Sequence, residues 1–292
     1  VVAVTMPAAE AAPAPTEQQL RAAFAKVETE TLAAYVEDPL ADRLVDSLAT
    51  AGSIVAESGP DDLGVTRWQL SNGVRVVLKP TDFRNDEVLF TASSPGGHSL
   101  AADADFVAAV TADGVVQESG VGRFDKIARR KALAGKVARV EPWIDELQEG
   151  MRGGASPEDL ETLFQLIYLH FVAPRADSTA YASYRNWLLE GITNRAASPE
   201  AAFADTVAVL LAQHHFRARP WTAGVIDEMD LGRSLRIYRD RMADAGDFTF
   251  YFVGNVDAAA LRPLVCSYLA SLPATGRRET WRDVGMQLPV GV

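Results

Sequence analysis

The chain has 292 residues, 48% of them hydrophobic and 23% charged, with a net charge of −11 at neutral pH. That hydrophobic share excludes a mainly disordered polymer, and the acidic balance argues against nucleic acid or an anionic membrane surface as the main partner. The length suits one large domain or two ordinary ones. Cys266 is the single cysteine, so neither an intrachain disulfide nor a thiolate metal cage can form. The longest stretches without a charged side chain, 88–102, 162–174 and 263–276, fall short of the ~20 apolar residues that cross a bilayer. No membrane-spanning segment is expected. The start, Val1–Thr5, lacks the pattern of a signal peptide and reads as a cut inside a longer protein.

In chain order, 1–4 reads as the end of a strand and 7–15, rich in Ala and Pro, as an extended connector. Thr16 and Gln19 form a capping box, opening a helix whose stripe of Leu20, Phe24, Val27 and Leu32 runs to about Val36. A short amphipathic piece at 43–49 and a polar segment at 58–64 follow. From Trp68 the period becomes two. Trp68, Leu70, Asn72-Gly73, Val74, Val76 and Leu78 predict a hairpin with a type I′ turn, whose central positions need the positive φ that Asn and Gly tolerate. Residues 87–92 form a third strand, and a small helix is expected at 103–113. Two further strands, 136–140 and 144–151, are expected to join at Pro142.

Ser156-Pro157-Glu158-Asp159 and Ser198-Pro199-Glu200 each combine an N-cap, a first-turn proline and acids at the positive end of the helix dipole. They predict helices reaching about Phe171 and His215. Between them, 177–194 carries Tyr181, Tyr184, Trp187 and Leu188 at helical spacing. A helix at 231–243, a buried strand at 248–253 and a closing helix at 257–272 complete the chain. Strands come early, helices accumulate late and one strand returns. This is α+β, with helices on one face of a mixed, mainly antiparallel sheet.

Chemical motifs are sparse. His98, His170, His214 and His215 belong to no HxxEH, HxxxH or HxH spacing. On a helix, His214 and His215 would point about 100° apart and not share a metal. His170 sits among apolar neighbours as a core histidine, and His98 in a Gly-rich turn. No GxSxG, GxGxxG or GxxxxGK[ST] is present, so Ser93–Ser99, Ser119–Gly122 and Lys136 read as turn chemistry. The acidic groups Asp61/Asp62, Asp103/Asp105 and Asp227/Glu228/Asp230 read as caps and solvated faces, and Arg129, Arg130, Lys131, Arg236, Arg239 and Arg241 as surface pairs.

A set of segments in order nevertheless carries a resemblance: 70–83, 94–99, 119–122, 133–136, 238–241, 247–255 and 268–273. Together they make most of 65–292 similar to the C-terminal half of bacterial insulinase-like (pitrilysin family) zinc peptidases. In that family four similar α+β domains form two halves that close around an unfolded peptide. The catalytic half carries HxxEH on a helix, where two histidines four residues apart bind zinc on one face and the Glu polarises its water. Here the corresponding segment, 103–113, contains neither His nor Glu.

The resemblance therefore implies that 65–292 is a non-catalytic domain and 1–64 the end of a preceding domain plus a partly helical linker. It assigns no catalytic, cofactor-binding or metal-binding residue in this chain, and places the parent's zinc outside it. The expected role is one wall of the substrate chamber of a zinc metalloendopeptidase. The expected partners are peptide or unfolded polypeptide and the catalytic half of the same protein, in a periplasmic or secreted setting. The alternative is a catalytically inactive paralogue acting as scaffold or partner subunit of an active peptidase.

Overall fold

The computed structural model describes residues 3–4, 14–31 and 43–291, in two units, Val1–Leu40 and Ala41–Val292. In the first unit, the capping box starts α1 (Glu17–Thr29): Thr16 Oγ1 accepts the Gln19 N–H, and the Gln19 side chain accepts the Thr16 N–H. The helix stops at Thr29 because Glu30 turns extended. The expected strand end at 1–4, the connector at 7–15 and the residues toward Val36 lie wholly or partly outside the described residues.

The second unit is an α+β layer pair. Its strands are β1 (Ile54–Ser58), β2 (Thr66–Leu70), β3 (Arg75–Pro80), β4 (Val88–Pro95), β5 (Ala138–Ile144), β6 (Gln148–Ala155) and β7 (Thr249–Gly254). Among the described residues they form one mixed sheet in the order β1-β2-β3-β7-β4-β6-β5. Only β3 and β7 run parallel; the other neighbours are antiparallel. Strand β1 thus belongs to the sheet although it precedes residue 65. The helices are α2 (Phe106–Val110), α3 (Ala112–Ser119), α4 (Lys126–Ala132), α5 (Leu160–Val172), α6 (Ser178–Ala196), α7 (Pro199–Leu211), α8 (Ala223–Ile226), α9 (Leu231–Arg241) and α10 (Ala258–Leu264).

The predicted caps do their work. Ser156 accepts the Asp159 N–H and Ser198 the Ala201 N–H; Asp177, where the sequence predicts only a helical period, caps its helix too, accepting the Thr179 and Ala180 N–H groups. Helix α5 is buried on all sides except near its ends, packing on β5 and β6, which explains its apolar composition. Inward-facing Val76, Leu78, Val88, Phe90, Phe250 and Phe252 complete the core beneath it. A second cluster joins Phe106, Val107 and Val115 to Val225, Ile226 and Met229, with Tyr184 and Leu188 of α6 packed against it.

Several expectations need correction. Residues 43–49 are not helical; Leu44 is buried, and its N–H and that of Val45 donate to Gln165 Oε1 at 2.6 and 3.3 Å. Pro142 lies inside β5, and the chain reverses at 145–147 instead. A proline is tolerated there because β5 is an edge strand with no partner on one side. The segment 103–113 is a 3₁₀ turn, then α2 and α3 joined at Thr111. Helix α7 ends at Leu211 because Gln213 and His214 adopt φ of 50° and 58°. The closing helix contains Pro263 and widens into a π turn over 265–269.

The hairpin between β2 and β3 forms, but not with a type I′ turn. Only Gly73 takes positive φ, 92°, while Asn72 does not. The Gly73 N–H donates to Leu70 O and the Leu70 N–H to Val74 O, a three-residue loop in which a turn over 70–73 is closed by a glycine bulge. Asn72 is retained for a tertiary reason: its Nδ2 donates to Leu269 O at 2.9 Å and Leu272 O at 3.1 Å, tying the hairpin to the chain's closing turn. Replacing Asn72 with Ala should leave both carbonyls without this donor and lower stability by about 1–2 kcal/mol in urea titrations.

Candidate functional site: the open face of the sheet

The histidines stand in separate surroundings. His98 lies edge-on to Phe106, ring centres 5.5 Å apart, and burial holds its pKa below the ordinary value. His170 is fully buried, its Nδ1 3.3 Å from the Tyr238 hydroxyl, with burial and then Arg129 pushing its pKa down to about 3. His215 Nδ1 accepts the Arg217 N–H, and its Nε2 lies 3.0 Å from Val284 O. His214 terminates α7. Among the described residues no group of three His, Cys, Asp or Glu side chains is placed to hold a metal.

The segment 106–116 is filled with core. Val107, Ala108, Ala109, Ala112, Val115 and Val116 are buried. Thr111 donates its hydroxyl to Val107 O at 2.8 Å. Asp113 accepts the Gly114 N–H at 2.8 Å, and burial raises its pKa to about 6. These side chains do not fit a zinc ion.

The Gly-rich loop after β4 is a structural joint. Arg217 donates to Asp103 Oδ1, His98 O and Ala101 O at 2.7–3.0 Å, and Arg282 donates to Ser99 O and Ala101 O. Two arginines thereby satisfy carbonyls that burial would otherwise leave unpaired. Ser99 Oγ donates to Gly96 O and accepts the Arg282 N–H, so it has no free role as a nucleophile. Ser119 Oγ accepts the Asp177 N–H, and Lys136 Nζ donates to Thr162 Oγ1. The acidic groups form pairs or caps: Asp61 with Arg67, Asp105 with Arg233, Asp227 with Arg185, Glu228 with Arg219, and Asp230 at the start of α9.

Beside this loop sits a buried carboxylate. Glu149, 1% exposed, accepts the Gly97 N–H and faces Arg241, which pairs with Glu279 at 3.0 Å. Burial raises the Glu149 pKa to about 7, against the opposing pull of the Gly97 N–H and Arg241. Between its ordinary 4.5 and about 7, the folded state keeps a proton that the unfolded chain has released. Unfolding free energy therefore falls as pH rises through that window. His170 works oppositely, since its lowered pKa makes stability rise with pH between about 3 and 6.5. Above 6.5 the Glu149 contribution stands alone of the two. Glu149→Gln keeps an acceptor for Gly97 and should flatten the decline, gaining roughly 2–3 kcal/mol at pH 8 in urea titrations run across pH.

The surface with capacity to bind lies on the opposite side of the sheet. Helices cover one face of the sheet; on the other, Leu89, Tyr251 and Val253 remain 40–43% exposed on the two central strands, β4 and β7. Strand pairing arranges this face in rows. One runs Arg67, Val77, Tyr251, Thr91, Arg152, Glu141; a second Arg75, Thr249, Ser93, Gly150, Trp143; a third Lys79, Val253, Leu89, Gly154, Arg139. Gly150 has to be glycine, because a Cβ there would stand 2.5 Å from the Trp143 ring that covers it. Two grooves open onto the face. One of about 450 Å³ is lined by Glu57, Ser58, Arg67, Arg75, Val77 and Tyr251, the other of about 510 Å³ by Arg84, Asp86, Glu87, Leu89, Lys136 and Arg139.

Sequence reasoning passed over these residues. The signal was present as charged side chains on one side of a strand, Arg75 and Lys79 in β3 and Arg139 and Glu141 in β5, but on single strands it reads as ordinary solvation. Only the sheet order aligns them.

No protein-family model matches the sequence. The chain is 26% identical over 249 residues to a PQQL-like zinc protease of Arabidopsis thaliana, covering 84% of this chain and 23% of that protein. It spans about a quarter of the length of the curated relatives it matches. Among solved structures it resembles the periplasmic protease PqqL of Escherichia coli, with a TM-score of 0.74, 20% identity, and coverage of 94% of this chain and 30% of that one. It also resembles an inactive domain of peptidase M16 from Pseudomonas fluorescens, with a TM-score of 0.59, 16% identity, and coverage of 75% and 54%. The motif order, the mixed sheet with its single parallel pair and these likenesses agree: the chain is similar in sequence to PqqL-like zinc proteases and has the fold of one α+β domain of the insulinase-like, pitrilysin-family peptidases.

Proposed function

We propose that this chain supplies a non-catalytic domain to a zinc metalloendopeptidase that cleaves peptides or unfolded polypeptides, and that its second unit forms one wall of the substrate chamber. Residues up to about 40 serve as part of the connection to the preceding domain. The observation that carries this reading is the filling of 103–113 with small apolar side chains and no His or Glu, where a catalytic sibling needs two histidines and a glutamate. The likeness to an M16 domain described as inactive supports it. The zinc of the parent protein is then held by its other half, and the partners are that half and the polypeptide substrate. A periplasmic setting follows the PqqL likeness; among the described residues no helix is long and apolar enough to cross a membrane.

The wall's work is enclosure. A face that excludes water and offers apolar and charged contacts to an extended chain contributes binding, which positions a bond for cleavage elsewhere. The purified chain should hold no stoichiometric zinc by elemental analysis and cleave no reporter peptide. Added to a separately expressed catalytic half, it should restore cleavage. Zinc at one per chain together with unaided cleavage overturns the reading.

A further inference from the structure

We infer that the open sheet face binds an extended polypeptide segment carrying acidic side chains, which deepens the chamber-wall reading and rests on it. The face is basic in an acidic protein. It carries Arg67, Arg75, Lys79, Arg139 and Arg152 against Glu141, which pairs with Arg152, and Asp61, which pairs with Arg67, whereas the whole chain carries a net −11.

The arrangement is as informative as the count. Each row begins with a cation on the β2–β3 side, passes over Tyr251, Thr249 or Val253, and two rows reach a second cation, Arg152 or Arg139, on the far side. Several of these charges lack a full carboxylate partner. The Arg75 guanidinium is held by Thr249 Oγ1 at 2.9 Å and Asp247 O at 3.2 Å, Lys79 donates to Leu63 O, and Arg139 has no ion pair among the described residues. A carboxylate arriving there therefore gains attraction without displacing an existing one.

Spacing sets the ligand. From Lys79 on β3 to Arg139 on β5 there are four strand intervals, about 19 Å at ~4.8 Å each, and an extended peptide rises about 3.3 Å per residue. A segment crossing the strands thus places acidic side chains about six residues apart over the two cationic margins, with apolar side chains between them on Leu89, Val253 and Tyr251. A uniform polyphosphate backbone suits this less well, because the middle of each row is apolar or small and the rest of the molecule repels it.

The test uses the full 292-residue chain and fluorescently labelled peptides of one apolar sequence, bearing two glutamates six residues apart, or glutamine or lysine in their place. In anisotropy titrations the glutamate peptide should bind about tenfold more tightly than the glutamine peptide, and the lysine peptide least. The preference should shrink as salt shortens the screening length. Reversing charge in R75E/R139E should remove the glutamate preference. Reversal in R236E/R239E, exposed on α9, should leave it unchanged. Equal binding of glutamate and glutamine peptides overturns the inference while leaving the chamber wall standing, and failure of all three peptides overturns both. A DNA duplex or phosphatidylserine vesicle that displaces the glutamate peptide and binds more tightly also overturns it.

Discussion

Phe252→Ala should lower the unfolding free energy by about 3–5 kcal/mol, the range for deleting a buried aromatic ring. Phe252 is fully buried on β7 and stacks on Phe164 of α5, ring centres 5.3 Å apart and planes 9° apart, and on Phe90 of β4 at 6.0 Å. It thus joins the middle of the sheet to the helix that covers it. Alanine loses the transfer energy of the ring and both aromatic contacts, and a close-packed interior refills such a cavity only in part. Against a total of about 5–15 kcal/mol for a domain, this is a large fraction. Urea titration of the variant checks it, with Phe252→Leu as a control that should cost clearly less. Two equal, small losses would mean that the sheet and α5 are not coupled through this ring.

Arg241→Met should destabilise to a similar extent, about 3–5 kcal/mol, by a different mechanism. Arg241 ends α9 with only 5% exposure and pairs with Asp240 at 2.5 Å and with Glu279 at 3.0 Å. Arg277 reinforces the group from the closing segment, at 2.9 Å from Asp240 and 3.0 Å from Glu279. Methionine fills much of the volume but leaves Glu149 and Glu279 facing each other with less compensation. The loss should be greatest above pH 7 and shrink on acidification, because a protonated Glu149 has no charge to leave stranded. Combining Arg241→Met with Glu149→Gln should cost less than the sum of the two changes, since both act on one cluster. Thermal melts of the four proteins at pH 6 and pH 8 decide this; a penalty independent of pH would separate Arg241 from Glu149.

The two results bear on what the amino-acid order tells directly. The helix starts at Thr16, Ser156 and Ser198 were readable because an N-cap acts within three residues, and each accepts the backbone N–H that local chemistry demands. The existence of the strand 249–254, though not that one of its faces stays open, and the α+β class were readable from hydrophobic period and element order. Elements without strong periodicity were not: β1, α4 and α8 are short and drew no expectation, and 43–49 gave an amphipathic pattern whose apolar residue is used by an extended chain bonded to Gln165.

Sequence by itself determined where the helices capped at Thr16, Ser156 and Ser198 begin, that strands form a mixed sheet with one covered face, and that the segment 103–113 lacks the His and Glu of a zinc-binding helix, because each depends on neighbours within a few positions. Tertiary structure alone decided that Asn72 anchors the closing turn, that Glu149 is buried beside Arg241, and that Arg67, Arg75, Lys79, Arg139 and Arg152 share one open face. Those facts turn on strand order. β7 enters between β3 and β4 from more than 150 residues away, and alternation along a single strand says which residues share a side but not which strands lie next to it.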